Sequence, residues 1–303
     1  MNQSVLVSVI VPCFNAIHTL DCALASILAN SGDGIAVEII VVDDHSTDGS
    51  VERLRDYGNA IHLIALEANV GVSAARNAGV EVARGEFVAF CDADDVWYPD
   101  KLKQQLPLFA NPAIGLVCSD IDLIDCMGEA IEKPWRTRFK RGWVYRDLLC
   151  HNFIGTSSTV LRREVCFAER FNVGIRHAED LDLWLRVARR WQVDFVDKPL
   201  LQYRLSASQA TRNWNAMQDS RLQVICSHAS SLPFFLKRKV IAAARFRYGM
   251  ACWEERDFRK ARRQFLRAVI ENPISPWAWV RLAAAALPKK VLFWILEVKK
   301  SII

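Results

Sequence analysis

Four apolar runs, alternating with helix-like segments, constrain this chain more than any other feature of its first ninety residues. The runs are SVIVPCFN (8–15), EIIVVDD (38–44), IHLIAL (61–66) and EFVAF (86–90). Between them lie LDCALASILAN (20–30), STDGSVERLRDYG (46–58), which opens on Ser and Asp capping residues, and VSAARNAGVEVARG (72–85), whose Gly85 suits a helix C-cap. The runs are near-continuous Val, Ile and Phe rather than alternating, as strands of a parallel sheet covered on both faces require. Strand–helix alternation implies right-handed βαβ units in a doubly wound, mainly parallel α/β sheet. In such a sheet the ligand crevice lies at the carboxyl ends of the strands.

Those ends are acidic. Asn15 closes the first run, Asp43 and Asp44 the second, and Asp92-Ala93-Asp94-Asp95 follows the fourth. Helix capping explains an isolated Asp48 or Asp100, but not paired acids at two separate strand ends. D-x-D behind a buried strand suits Mg2+ or Mn2+, which takes one or two carboxylates and completes its shell with water and substrate phosphates. An ion held there can neutralise a diphosphate leaving group. Farther along, IGLVCSDIDLID (114–125) reads as one or two strands and SSTVLRREV (157–165) as another. HAEDLDLWLRVARRW (177–191) reads as a helix with Glu179, Asp180 and Asp182 in its first turn, where the helix dipole alone also favours acids. His177 beside them is a metal ligand or acceptor contact only if other groups join it. After residue 207 the pattern is helical, with no further strand signal.

Charge divides the chain differently. Residues 1–236 carry 23 Lys and Arg against 29 Asp and Glu, whereas residues 237–303 carry 16 against 5. A basic tail faces something anionic, and phospholipid, nucleic acid and an anionic glycan precursor all fit on charge alone. A nucleic-acid binder leaves the acidic strand ends unexplained, so no nucleic-acid partner is expected. The nine cysteines are odd in number and form no C-x-x-C pair, which reads as reduced thiols in a cytoplasmic protein rather than a disulfide frame or zinc site. MNQSVLVSVIVPCFN reads as a first strand, not a signal peptide, and no uncharged apolar run approaches the roughly 20 residues that span a bilayer.

Taken together, SVIVPCFN, EIIVVDDHSTDGS, NVGVSAARNAGVEVARGEFVAFCDADDVW and HAEDLDLWLRVA resemble the inverting glycosyltransferases of family 2, of the bacterial cell-surface polysaccharide type, over about residues 5–205. The resemblance implies a GT-A, Rossmann-like fold over residues 1–206, and the helical pattern beyond it makes 207–303 an all-helical C-terminal region. It implies transfer of one sugar from a nucleotide-diphosphate sugar, UDP-linked in most of the family, to a hydroxyl of a glycan or lipid-linked acceptor. Position by position, it places Pro12, Phe14 and Asn15 against the nucleobase and Asp44 at the base edge. Arg76 and Asn77 line the nucleotide site, Asp92 and Ala93 lie near the ribose, and Asp94 binds the divalent metal, Mn2+ or Mg2+. Asp180 is the catalytic base, and Asp43, Asp95 and Glu179 are supporting acids.

Residue chemistry agrees with a carboxylate base. An acceptor hydroxyl must lose its proton as it attacks, and a carboxylate on the face opposite the diphosphate can take it. Such a base comes from a part of the chain remote from the metal site, as Asp180 does. Phe14 is equally readable as core, and Arg76 as a solvated arginine or a partner of Asp44. Processive members of the family carry Q-x-x-R-W after the E-D motif. Here PLLQYRLSASQATRN supplies Gln202 and Arg204 with the wrong spacing and no Trp, so single-sugar transfer is expected. Two other functions fit the same fold. A nucleotidyltransferase would show a Gly-rich basic loop where SVIVPCFNAIHTL has no Gly, Lys or Arg. A non-catalytic scaffold would have lost Asp94 or Asp180.

In the tail, RYGMACWEERDFRKARRQFLRAVIENP (247–273) spaces Gly249, Ala261, Phe265, Ala268 and Pro273 like a tetratricopeptide hairpin (about 240–286), with Arg245 where that repeat has Trp. The last segment, KKVLFWILEVKKSII (289–303), gathers Lys289, Lys290, Glu297, Lys300 and Ser301 on one side of a helical wheel and Val291, Ile295, Val298 and Ile302 on the other. Lysines flanking an apolar face with Trp294 suit a helix in a membrane interface, here the cytoplasmic face of an inner membrane.

Overall fold

The computed structural model describes residues 4–132, 138–205 and 214–287. It divides into two compact units, Met1–Trp214 and Asn215–Ile303.

The first unit follows the alternation of the sequence. In order it contains β1 (Val5–Cys13), α1 (Leu20–Leu28), β2 (Ile35–Asp43), α2 (Ser50–Arg55), β3 (His62–Ala65), α3 (Val72–Val82), β4 (Phe87–Phe90), β5 (Val96–Trp97) and α4 (Lys101–Gln105). Then come β6 (Ile114–Ile124), β7 (Ala130–Ile131), α5 (Tyr145–Cys150), β8 (Val160–Arg162), α6 (Arg163–Ala168), α7 (Glu179–Val187) and β9 (Gln192–Arg204). All nine strands form one sheet in the order β3-β2-β1-β4-β8-β6-β9-β5, with β7 on β6. The sheet is mixed and mostly parallel. Strands β3, β2, β1 and β4 run together, as do β6 and β9, and β8 is antiparallel to both of its neighbours. Val7, Val9, Val11, Ile39, Val41 and Ala89 are buried in the main core with Leu20, Leu24 and Ile27 of α1, which is why these runs lack polar alternation.

Two expectations are corrected. Gly85 is not a left-handed cap, because α3 ends in extended backbone at Ala83 (φ −63, ψ 126). A Cβ at Gly85 would lie 2.5 Å from the Ser8 amide nitrogen and 2.7 Å from the Phe87 carbonyl oxygen, so close backbone approach requires glycine there. Only Val160–Arg162 of the stretch 157–165 is strand. A 3-10 turn at Thr156–Ser158 precedes it and α6 follows.

The second unit is helical throughout its described residues. It contains α8 (Trp214–Ala229, its first residue belonging to the first unit), α9 (Phe234–Glu254), α10 (Phe258–Glu271) and α11 (Pro276–Ala284). Helices α9 and α10 pack closely: a Cβ on Gly249 would meet the Phe265 ring at 2.6 Å, and Ala261, Phe265 and Ala268 are buried. The Asp257 side chain accepts from the Lys260 N–H and caps α10. No described helix is long and apolar enough to cross a membrane. The 289–303 helix expected from the sequence lies outside the described residues. All nine cysteines are unbonded.

Candidate active site

Parallel register brings the polar strand ends to one edge. Cys13 pairs with Asp43 and Asp43 with Ala65, while Phe90 of β4 pairs with Ile10. Beyond Phe90 the chain folds into a tight turn, with the Asp95 N–H donating to the Asp92 carbonyl at 3.1 Å and Asp94 near its tip. Three distant segments hold this acidic turn. The Asp92 N–H donates to Ser157 Oγ at 3.0 Å. Arg204, at the end of β9, donates its main-chain N–H to Asp95 Oδ1 at 3.1 Å and Nε to the Asp94 carbonyl at 2.9 Å. Arg76 of α3, only 4% exposed, donates to Asp92 Oδ1 at 2.6 Å.

The same guanidinium reaches α7. Its other terminal nitrogen lies 3.4 Å from Glu179 Oε1, and its carbon sits 5.1 Å from the centre of the Phe171 ring. Burial opposes the charge on Arg76, but Asp92, Glu179 and Asp180 together raise its pKa, so it stays a cation. Asp180 follows Glu179 in the first turn of α7. Its Oδ1 accepts the Leu181 N–H at 2.7 Å and its Oδ2 accepts Asn152 Nδ2 at 3.1 Å. Tyr203 links the two acidic groups electrostatically: burial, then Asp95, Asp92, Asp94 and Asp180, all raise its phenol pKa. The sequence motifs D-x-D and E-D therefore converge on one place. Asp182 does not join them; it pairs with Arg186 at 3.0 Å, and Arg186 also binds Glu169, which anchors α7.

The other expected residues divide between crevice and scaffold. Phe14 stands 51% exposed just past β1, with Pro12 half-buried before it. Asn15, in left-handed backbone (φ 52), accepts the Thr47 N–H and fastens the loop after β2. Asp44 is buried, and its two oxygens accept the Val70 and Gly71 N–H groups at 2.7 and 2.9 Å, which ties β2 to the start of α3. Asn77 spends both ends of its amide on the main chain of Phe171, at 2.9 Å each, and so holds the segment that covers Arg76. Ala93 is buried in the acidic turn, and His177, at φ 67, precedes α7. Asn152, Ser157 and Tyr203 were not expected. Their sequence neighbourhoods carry no charge pattern, and only the fold brings them to the acids.

Three buried polar atoms at this edge have no hydrogen-bond partner among the described residues: Asp43 Oδ1, Arg76 Nε and Asp95 Oδ2. Burial, reinforced by Asp92 and Asp94, pushes the Asp95 carboxyl well above the usual carboxylate range, against the pull of Ser157 and the Arg204 N–H. Unmet buried groups of this kind call for a partner that the described residues do not supply, such as a water, an ion or a ligand atom. No group of three or more His, Cys, Asp or Glu among the described residues forms a closed metal cage. Mg2+ or Mn2+, which takes few carboxylates and needs substrate phosphates as further ligands, requires no such cage.

Comparison with known proteins agrees with this fold. The family model described as Glycosyl transferase family 2 matches residues 8–166. The chain is 32% identical over 220 residues to TuaG of Bacillus subtilis (strain 168), named for teichuronic acid biosynthesis, covering 71% of this chain and 85% of that one. It is 28% identical over 214 residues to the Escherichia coli UDP-Glc:alpha-D-GlcNAc-diphosphoundecaprenol beta-1,3-glucosyltransferase WfgD, covering 69% of this chain and 80% of that one. Among solved structures it is similar to S. aureus TarS 1-349 in complex with UDP-GlcNAc (TM-score 0.66, 16% identity, 92% of this chain and 84% of that one). It is also similar to the Pyrobaculum calidifontis mannosyltransferase PcManGT in complex with GDP-Man and Mn2+ (TM-score 0.55, 19% identity, 92% and 79%).

Proposed function

The chain belongs to glycosyltransferase family 2, and we propose that it moves one sugar from a nucleotide-diphosphate sugar to a hydroxyl of a glycan or lipid-linked glycan acceptor, with inversion, in the synthesis of a bacterial surface polysaccharide. One observation carries this reading: Arg76 bridges Asp92 in the acidic turn to Glu179 beside Asp180. Donor and base sites are thereby fixed against each other.

In this reading the nucleobase stacks on Phe14 beside Pro12 and Asn15, with Asp44 at its edge and the ribose near Asp92 and Ala93. Asp44, Asn15 and Asn77 act mainly by fixing the loops that form the pocket. Uridine is the base we favour, since the relative WfgD is named for UDP-Glc and TarS was solved with UDP-GlcNAc. Asp94 would hold Mn2+ or Mg2+, with Asp95 in support, and the ion supplies positive charge to the departing diphosphate. Asp180 accepts the proton of the acceptor hydroxyl as it attacks the anomeric carbon. Asn152 keeps one carboxylate oxygen oriented, and Arg76 shields Asp180 from the repulsion of the acidic turn. No covalent intermediate is required, so a single displacement inverts the anomeric centre. With a lipid-linked acceptor, of the kind named for WfgD, the enzyme would work at the cytoplasmic face of the inner membrane, which the Lys-rich segment 289–303 would approach.

A donor screen that reads nucleoside-diphosphate release tests this, run with UDP-, GDP- and dTDP-sugars, with Mn2+ and with EDTA. Release from a UDP-sugar that depends on metal and acceptor is expected. Release that ignores both would remove the proposal.

A further inference from the structure

Helix α11 is apolar on two sides. Ala278, with Leu282 beside it, packs against Ala268 and Val269 of α10. Its outer side nevertheless presents Trp277 (71% exposed) and Val280 (58%), and Ile274 just before it is 89% exposed. Residues 276–287 contain a single charge, Arg281, and that guanidinium lies over the Trp253 ring at 5.7 Å. Trp279 Nε1 donates to the Pro273 carbonyl at 2.8 Å, which fixes the turn that presents Ile274. A surface helix ordinarily turns a charged face to water; one that is apolar all round is covered by something.

The surroundings say what that is. Residues 215–287 hold thirteen lysines and arginines against five acids. The outer face of α10 interleaves exposed Arg259, Arg262, Arg263 and Arg267 with exposed Leu266 and Ile270. Such a charge excess repels a second copy of the same surface and is complementary to an anionic one. Exposed tryptophan and aliphatic residues beside arginines match the chemistry of a bilayer interface, where indole sits at headgroup depth and guanidinium meets phosphate. The segment that follows α11, KKVLFWILEVKKSII, has the same composition of lysine, tryptophan and aliphatic residues.

We propose that the outer face of α11, with Ile274, seats in the interfacial layer of an anionic lipid bilayer while the arginines of α10 contact headgroup phosphates. This deepens the membrane placement of the proposed function by naming a second surface for it, and it needs neither donor nor base, so vesicle binding and glycosyl transfer can each fail without the other.

The test is co-sedimentation of the full-length chain with vesicles of phosphatidylglycerol and phosphatidylcholine, and with vesicles of phosphatidylcholine alone. Partitioning onto the anionic vesicles is expected to be about tenfold stronger or more. The pairs Trp277→Glu with Val280→Glu, and Arg262→Glu with Arg263→Glu, should each weaken it about tenfold or more, with the helical circular-dichroism signal and unfolding midpoint retained. Binding unchanged in both pairs would overturn the proposal. So would binding abolished by Trp294→Glu with Ile295→Glu while the α11 pair binds like wild type, which would place the whole seat in residues 288–303. A dimer in solution that the α11 pair converts to monomer, without vesicle binding by the wild type, would make this face a self-contact instead.

Discussion

Arg76 Nη2 lies 2.6 Å from Asp92 Oδ1, and Arg76 Nη1 lies 3.4 Å from Glu179 Oε1. One buried cation thus joins the turn after β4 to the start of α7, segments about ninety residues apart in the chain. Removing it leaves the Asp92 and Glu179 carboxylates, 32% and 14% exposed, without the cation they share. Arg76→Met is expected to destabilise the first unit by about 3–5 kcal/mol, the scale for breaking a buried pair. Arg76→Lys keeps the charge but loses the fork that reaches both acids. It should retain most of the stability and lose much of the activity. Urea unfolding and nucleoside-diphosphate release on both variants separate these effects, and equal stability loss in the two would contradict the bridging role.

Asp94 is the proposed metal ligand. Asp94→Ala should lower turnover about a thousandfold, since metal charge neutralisation is worth several kcal/mol. EDTA should do the same to the wild type, with recovery on adding Mn2+ or Mg2+. Full activity in EDTA would show that Asp94 serves another purpose.

Asn152 donates to Asp180 Oδ2 at 3.1 Å and has no acid–base chemistry of its own. Losing that contact removes one of the groups that orient the carboxylate, while the Leu181 N–H still holds Oδ1. Asn152→Ala should therefore reduce kcat about tenfold to a hundredfold while KM for the donor changes little, as misplaced reacting groups do. Steady-state kinetics at varied donor concentration reads the split; a change confined to KM would instead assign Asn152 to donor binding.

Lys101 sits beneath the site, fully buried. Its Nζ donates to Gln105 Oε1 at 2.5 Å and the Ser158 carbonyl at 3.2 Å, and it lies 4.3 Å from the centre of the Trp97 ring. Burial holds its amine down to about 7, from an ordinary 10.5. Between those values the unfolded chain binds the proton and the folded one does not, so the penalty this lysine places on folding shrinks as pH rises through that window. Lys101→Met should thus gain stability relative to wild type as pH falls from 10 towards 7, with a slope approaching about 1.4 kcal/mol per pH unit. Parallel stability curves from denaturant titrations across that range would contradict a depressed lysine.

Much of this arrangement was legible in the sequence, because the signals were local. Continuous apolar runs, Val and Ile in β1 and β2 and Phe-Val-Ala-Phe in β4, gave those strands, and acids beyond the runs could only fall at the carboxyl edge. The E-D motif pointed to the start of α7 without revealing that Arg76 ties it to Asp92, since such contacts depend on register and loop length. Stretch 157–165 misled because TVL is too short an apolar run to distinguish strand from turn. Its Ser157 is needed as a turn so that its hydroxyl meets the Asp92 N–H. Arg204 looked like a displaced remnant of Q-x-x-R-W, whereas its guanidinium in fact binds the carbonyls of Asp94, Asp125 and Cys126. Asn77 and Asp44 were read from the motifs as nucleotide-site residues, and the motifs gave no sign of their hydrogen bonds to Phe171, Val70 and Gly71, which depend on how the loops meet.

Nucleoside-diphosphate release by Asp180→Asn, set beside calorimetric donor binding by the same variant, tests the central claim most directly. Asparagine keeps the size of the side chain and one oxygen to accept from Asn152 or from the Leu181 N–H, and it cannot take a proton. The account predicts donor affinity close to wild type with acceptor-dependent release reduced about a hundredfold to ten-thousandfold, the range of general-base catalysis. Acceptor-dependent release at the wild-type rate would contradict it.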